Sequence, residues 1–282
     1  MPSITTKTVT TNATSLNVAT SGDGPAILLL HGFPHTWEVW RPIIESLSEH
    51  HRVIAPDMRG AGASAQAVDG YDARNLARDV IGVLGALGEP SATVVGLDAG
   101  GPPAFLLALE HPELVDRLVL IESTIGRLPG ADDFFRAGPP WWFGFHGVPG
   151  LAETVVHGNE AAYIDFFLRI GTAGATGIDA SIRNAFVRAY SRPGALRCAF
   201  EVYRAMPTSA SQIDEAVEHS RLVVPTLAIG GQVVADATAR QLEPITDDLT
   251  SSLIPTSGHI VPLDQPRELL ARITPFIDAA RG

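Results

Sequence analysis

The stretch "VVGLDAGGPP", Val94 to Pro103, decides how this chain is read. The segment "ATVVG" (92–96) is a short apolar run, which reads as a strand covered on both faces. A Gly-X-Asp-X-Gly turn follows, and "PPAFLLALEHP" continues as a helix. Sharp strand-to-helix turns of this form lift their middle residue above a sheet, and that residue is usually serine. Here it is Asp98, so the same stretch asks what chemistry needs a carboxylate at that point.

Working outward, the pattern repeats. "AILLL" (26–30) ends in "HGFP", and "RVIAPDMRGAGAS" (52–64) is a strand running into a Gly-rich loop. The first 20 residues alternate Thr, Val and polar residues, as in an antiparallel strand or hairpin at a sheet edge. "YDARNLARDVIGVLGALG" (71–88) has helical periodicity and a glycine stop. "DRLVLIEST" (116–124), "VVPTLAIGG" (223–231) and "SSLIPTSGH" (251–259) are further strands, and "PRELLARITPFIDAAR" (266–281) is a closing helix. Alternating helices and all-apolar strands predict an α/β fold with a doubly wound, mostly parallel sheet. Residues 125–220 break the rhythm with many aromatics, several helical stretches and no clear strand. We expect a core from residues 1–124 and 221–282. We expect 125–220 to form an inserted helical cap over the C-terminal strand ends, where open α/β sheets bind ligands.

Composition narrows the function classes. Apolar residues make up 45% of the 282, enough for a well-filled core. The net charge of −11 argues against nucleic acid or an anionic membrane as partner. The one cysteine, Cys198, lies in the apolar helical pattern "GALRCAFEVY", so it reads as buried and structural and excludes an internal disulfide. The N-terminal stretch has no apolar signal segment, and no apolar run approaches a membrane span. No metal-ligand spacing and no dinucleotide fingerprint is present. These features predict a soluble, cytoplasmic protein with a small-molecule substrate and no cofactor, and they leave a homodimer open.

Three groups fall at C-terminal strand ends. Asp98 sits on the sharp turn, Glu122 ends "RLVLIE", and His259 follows the last strand in "TSGHIVP". Nucleophile, acid and histidine from separate strands form the constellation of a catalytic triad. The orienting acid has a second candidate, Asp236 in "AIGGQVVAD".

On these residues the chain resembles the α/β-hydrolase fold family over essentially its whole length. It is similar to the branch of epoxide hydrolases and of haloalkane and fluoroacetate dehalogenases. The resemblance rests on His31-Gly32-Phe33-Pro34, Asp57 with Arg59-Gly60-X-Gly62-X-Ser64, Gly96-X-Asp98-X-Gly100-Gly101, Glu122 and Gly258-His259. Some relatives carry the acid where Glu122 stands. Others carry it after the next strand, where this chain has Gln232, a side chain that cannot hold charge. The resemblance implies that Asp98 displaces a leaving group at sp³ carbon, forming an alkyl ester that His259-activated water hydrolyses. It implies an oxyanion hole from the backbone N–H groups of Phe33 and Ala99, and a cis Phe33–Pro34 bond.

In such enzymes the cap supplies donors for the departing anion. Tyr203, in "FEVYRAMP" (200–207), matches the cap tyrosine common to epoxide hydrolases. "PPWWFGFHGVPGLAE" (139–153) is where relatives place a second tyrosine, a histidine, or a His-Trp pair that holds halide. We therefore take Tyr203 and Trp142 as catalytic donors, and Trp141, Trp142, Tyr203, Phe33 and His146 as substrate contacts. Adjacent residues on a helix do not face one way, so the alternative for the tryptophan pair is a place in the cap core. Ala99 and Pro102 stand where fluoroacetate dehalogenases carry arginines, and Ala99 where haloalkane dehalogenases carry a halide-binding tryptophan. The expectation is an epoxide hydrolase for a bulky, neutral, even aromatic or polycyclic epoxide, with dehalogenation as the alternative. Trp37 and Trp40 read as packing residues, Asp57 and Arg59 as a turn with an ion pair, Tyr163 and Tyr190 as core or rim, and His157 as a surface residue. His146 is read as either a surface or a pocket-lining residue.

Overall fold

In the computed structural model, which describes residues 3–173 and 178–279, eight strands share one sheet. They are β1 (Thr5–Thr11), β2 (Thr14–Ser21), β3 (Ala26–Leu30), β4 (Arg52–Pro56), β5 (Ala92–Leu97), β6 (Val115–Ile121), β7 (Thr226–Gly230) and β8 (Leu249–Leu253). Their order is β1-β2-β4-β3-β5-β6-β7-β8. The β1–β2 and β2–β4 pairings are antiparallel and the other five are parallel. The chain thus has an α/β-hydrolase fold, and the Thr/Val-rich N-terminus forms the edge hairpin.

Successive side chains on a strand point to opposite faces, so each central strand feeds two cores. Leu28, Leu30, Val94 and Leu120 join one; Ile27, Leu29, Val95 and Ile121 join the other. The first face is covered by α2 (Ala73–Leu87) and α3 (Gly101–Glu110), the second by α1 (Arg41–Leu47) and α12 (Pro266–Asp278). Helix α2 starts where the Asp72 carboxylate accepts the Asn75 N–H and stops at left-handed Gly88. It buries Leu76, Val80, Val83 and Leu84. Each such side chain contributes roughly 1.5–3 kcal/mol. Helix α12 ends at Asp278, and the expected extension through Ala280 and Arg281 lies outside the described residues.

Among the described residues, the chain between β6 and β7 contains six helices and no strand. They are α4 (Trp141–Gly147), α5 (Leu151–Val156), α6 (Glu160–Gly171), α7 (Ala180–Tyr190), α8 (Ala195–Arg204) and α9 (Met206–His219). After β7 the described residues add two short helices, α10 (Ala237–Leu242) and α11 (Val261–Asp264), and then α12. The insertion is tied to the sheet layer by side chains that satisfy open backbone groups at the start of α2. Ser209 Oγ accepts the Ala73 N–H, Gln212 Oε1 accepts the Arg74 N–H, and Gln212 Nε2 donates to Asp72.

One expected contact is corrected. Arg59 pairs with Asp79 on α2, at 2.7 and 2.8 Å, rather than with Asp57. The Asp57 carboxylate instead accepts from Asn17 Nδ2 on β2 and from the Trp37 and Ala63 N–H groups, tying its own loop to the strand and to the segment after β3. Cys198, Trp37 and Trp40 are buried.

Candidate active site

Strand β5 ends at Leu97, and the next residue turns sharply. Asp98 has φ +52°, a region that costs an ordinary L-residue roughly 1–2 kcal/mol. The flanking glycines permit the turn by close approach. A Cβ on Gly96 would lie 2.6 Å from the Gly100 carbonyl oxygen, and one on Gly100 would lie 2.4 Å from that of Leu30. The carboxylate is thereby presented above the sheet. Phe33 N–H donates to Asp98 Oδ2 at 2.9 Å, and Ser123 Oγ donates to the Asp98 carbonyl at 2.8 Å. The Phe33–Pro34 bond is cis. His31 holds this loop from below, accepting the Met58 N–H at Nε2 and facing the Gly32 carbonyl with Nδ1.

His259 meets both acids. Its Nε2 is 3.5 Å from Asp98 Oδ1 and its Nδ1 is 3.0 Å from Glu122 Oε2. It does so from a loop well beyond the end of β8, and Glu122 sits just past β6 at φ +45°. Glu122 is fully buried and accepts N–H bonds from Gly231, Val234 and Ala235. Thus the loop after β7, which carries the acid in some relatives, here wraps the Glu122 carboxylate with backbone donors. Asp236 is more than half exposed and pairs with Arg240; Gln232 donates to the Pro255 carbonyl.

Charge follows from this packing. Burial would lower the His259 pKa, but hydrogen bonds and charge from Asp98 and Glu122 override it and push it up to about 10. Burial would raise Asp98, yet the His259 contact and the Phe33 N–H hold it below the ordinary carboxylate value. Both shifts favour the imidazolium form of His259 beside an ionised Asp98.

The other side of Asp98 is aromatic. Phe33 sits edge-on to Tyr203 (5.8 Å), His146 (5.3 Å), Phe167 and Tyr190. Burial, then the nearby charge of Asp98, raises the Tyr203 phenol well above its usual pKa, so it stays an O–H donor. His146 is not a surface residue: it is 0% exposed, stacked on Phe200 at 4.2 Å and edge-on to Tyr203 at 4.4 Å. Its Nε2 lies 2.6 Å from Tyr163 Oη. Burial and the charge of Arg204 lower its pKa to about 3, so it is neutral. Nothing in the sequence pattern signals the His146–Tyr163 pair, because the two residues lie on different helices. Tyr190 is buried and donates to the His35 carbonyl, while His157 is exposed.

A cavity of about 620 Å³ runs from Asp98, Ala99 and Tyr203 along α3 and α9 to the loop after β6. Its walls are mainly aliphatic, including Pro102, Pro103, Leu128, Met206 and Ile213. Here the expected pocket is corrected. Trp141 and Trp142 do not line this cavity. Trp141 is 54% exposed, and the pair is taken up in a ring cluster with Phe145, Phe166 and Phe167. Phe33 and His146 lie behind Tyr203 rather than on the cavity wall. Among the described residues no group of three or more side chains could hold a metal, and no helix is long and apolar enough to cross a membrane.

A strained strand-to-helix turn bearing the acid, a donor loop behind it and a histidine from the last loop define a fold family. The chain belongs to the α/β-hydrolase fold family, whose model matches residues 25–146. It is 27% identical to the soluble epoxide hydrolase of Corynebacterium sp. (strain C12), over 96% of each chain. It is 28% identical to a fluoroacetate dehalogenase of Burkholderia sp., over 77% of this chain and 74% of that one. The solved structure of the epoxide hydrolase CorEH without ligand superposes with a TM-score of 0.87, at 26% identity and 98% coverage of both chains.

Proposed function

We propose that the protein is an epoxide hydrolase that opens a bulky, neutral, apolar epoxide to a diol. The observation that carries this reading is the placement of Asp98. It is held between the Phe33 N–H and His259, and it shares an aliphatic cavity with the un-ionised Tyr203 phenol. A carboxylate suits displacement at sp³ carbon, where the leaving atom is a ring oxygen. The one arginine on the described cavity wall, Arg127, is paired with Asp214, so a charged substrate finds no free cationic anchor there. The volume falls within the range of small-molecule sites. Because the cap aromatics pack on one another, the substrate is apolar and bulky but need not be aromatic.

The steps balance. Asp98 attacks a ring carbon, the C–O bond breaks, and its electron pair stays on oxygen. Tyr203 O–H stabilises that alkoxide. Tyr203 gives its proton to the alkoxide; esterification removes the Asp98 charge that kept His259 protonated, so His259 releases a proton to solvent and solvent reprotonates Tyr203. The now neutral His259 takes a proton from water, whose oxygen adds to the Asp98 carbonyl carbon. The Phe33 and Ala99 N–H groups face the oxyanion. Collapse expels the diol oxygen with the proton from His259. The Asp98 carboxylic acid then reprotonates His259, restoring the resting pair. Glu122 holds the imidazole throughout.

His259→Gln should stop after the first step. Incubated with styrene oxide, decene oxide, bromohexane or fluoroacetate, it should consume about one equivalent of epoxide per site. Mass spectrometry of the Asp98 peptide should find the whole epoxide added, oxygen included. An adduct lacking the leaving atom, with free halide, would assign dehalogenation instead.

A further inference from the structure

We infer that the cavity selects epoxides with a single apolar arm, the ring standing at one end of the molecule against Asp98 and the arm lying along α3 and α9. The inference rests on the proposed epoxide chemistry and adds which epoxides fit. It comes from the place of Asp98 in the cavity. Besides Asp98 and Ala99, the described wall is drawn from the chain at the start of α2, from α3, from the segment between β6 and α4, and from α4, α8 and α9. Helices α6 and α7 and the loops after β3, β7 and β8 contribute no described residue to it. Yet two of those loops carry Phe33 and His259, which flank the Asp98 carboxylate. Asp98 therefore stands at one end of the cavity and not midway along it.

The side beyond that end is filled. Phe33 is buried, and its ring meets those of His146, Phe167 and Tyr190 edge-on at 5.3, 5.2 and 5.4 Å. The space bordering Phe33 and Ala99 there is about 40 Å³, against about 620 Å³ on the side of α3 and α9. Holding one water takes roughly 10–15 Å³, so the smaller space suits a few waters and no chain of several carbons. Close-packed rings yield to added bulk only by taking strained rotamers. The open direction ends at the surface, where the wall residues Met206 and Arg127 are exposed. An epoxide is a three-membered ring, so the carbon that Asp98 attacks and its neighbour sit side by side. With one substituent, the molecule enters ring first and leaves its arm in the cavity. With trans substituents on both carbons, the arms diverge and one runs into Phe33. Ile213 is the wall residue placed to read the arm. It is fully buried on α9 beside Gly126, three residues past the Ser123 that bonds the Asp98 carbonyl.

A pair of isomers tests this. 1,2-Epoxydecane and trans-5,6-epoxydecane share composition and ring, and differ in carrying one arm or two. With the native protein, kcat/KM for diol formation should be at least about 100-fold higher for the terminal isomer, as several methylenes forced among packed rings imply. A ratio under about tenfold would overturn the inference. Ile213→Phe, its fold checked by circular dichroism, should lower kcat/KM about 10-fold more for 1,2-epoxydecane than for 1,2-epoxybutane, whose arm is short. Equal losses for the two would count against the arm lying along α9 and overturn the inference as well. Calorimetric titration with 1-decanol and 5-decanol separates shape from chemistry, since neither alcohol has a leaving group. The native protein should bind 1-decanol at least about 10-fold more tightly. If neither epoxide gives diol while that preference holds, the epoxide reading falls and the one-armed cavity stands. If both epoxides turn over at like rates, the cavity inference falls and the epoxide reading stands.

Discussion

The two sides of Asp98 are built differently. On the core side, Glu122 is gripped by three backbone N–H groups and by His259, all within 3.3 Å. On the cap side, Tyr203 and His146 are placed by ring packing against Phe33, Phe143 and Phe200, with one hydrogen bond to Tyr163. Main-chain donors at strand ends cannot be moved without rebuilding the sheet. Packed rings can be exchanged one at a time. In the proposed mechanism the core side would hold the steps that any ester on Asp98 requires, and the cap side the choice of leaving group.

The comparison breaks most decisively at Asp98 itself. Asp98→Ala should remove turnover, by on the order of 10⁴-fold or more, with the fold retained by circular dichroism. The same substitution takes away one of the two carboxylates at His259. The imidazole pKa, about 10 in the intact site, should then fall towards 6.5, which an NMR titration would follow. The sign for stability is fixed by the raised value. The His259 contribution is fully present below pH 6.5 and is lost as pH rises through about 10. Thermal melts of the parent should decline across that window, and those of Asp98→Ala should decline less. An unmoved pKa would mean that Glu122 alone holds the proton.

Next in size is the acid. Glu122→Gln sets an amide N–H₂ among donors that need an acceptor, and it weakens the grip on the His259 tautomer. We expect about a 10³-fold loss of kcat and roughly 1–3 kcal/mol of stability. Asp236→Asn, at an exposed ion pair, should stay within about twofold. Reversed magnitudes in the two assays would move the triad to the loop after β7.

This contrast also explains what the sequence disclosed. Asp98, Glu122 and His259 were legible because strand ends are marked by short apolar runs and turn glycines, and a parallel sheet brings those ends together. Even the loop that wraps Glu122 left a trace, since Gln232 stands where an acid occurs in relatives. The cap gave no such marks. Trp141-Trp142 and His146 lie on one short helix, and which of them faces inward depends on how α4 meets α6 and α8, a matter of shape between distant segments. Composition suggested an aromatic pocket. In the fold the aromatics pack on each other, and small or aliphatic side chains from α3 and α9 line the cavity.

Tyr203→Phe tests the cap side. It keeps the ring contacts with Phe33, Phe143 and His146 and removes only the O–H. Proton donation to an alkoxide is worth about 10²–10⁴ in rate, and we expect a loss of at least about 10²-fold in kcat for styrene oxide. A fall of less than about tenfold would show that the leaving group needs no proton, as a halide does not.

On the cap side the smallest effect is expected at Trp142, where the sequence and the structure part company. As a donor to the leaving group, its indole N–H should matter almost as much as the Tyr203 hydroxyl. In the fold its ring meets Trp141 at 5.8 Å and Phe167 at 5.5 Å, both edge-on, and it is absent from the cavity wall. Trp142→Phe should therefore act on packing: roughly 1 kcal/mol of stability lost, with kcat for epoxide within about threefold. The two roles separate cleanly, because a packing loss lowers the melting temperature and spares kcat, whereas loss of a donor does the opposite. A hundredfold fall in kcat with an unchanged melting temperature would require α4 to turn its indole towards Asp98 when substrate binds. That result, joined to faster release of bromide from bromohexane than of diol from either epoxide, would shift the cap from holding an alkoxide to holding a halide.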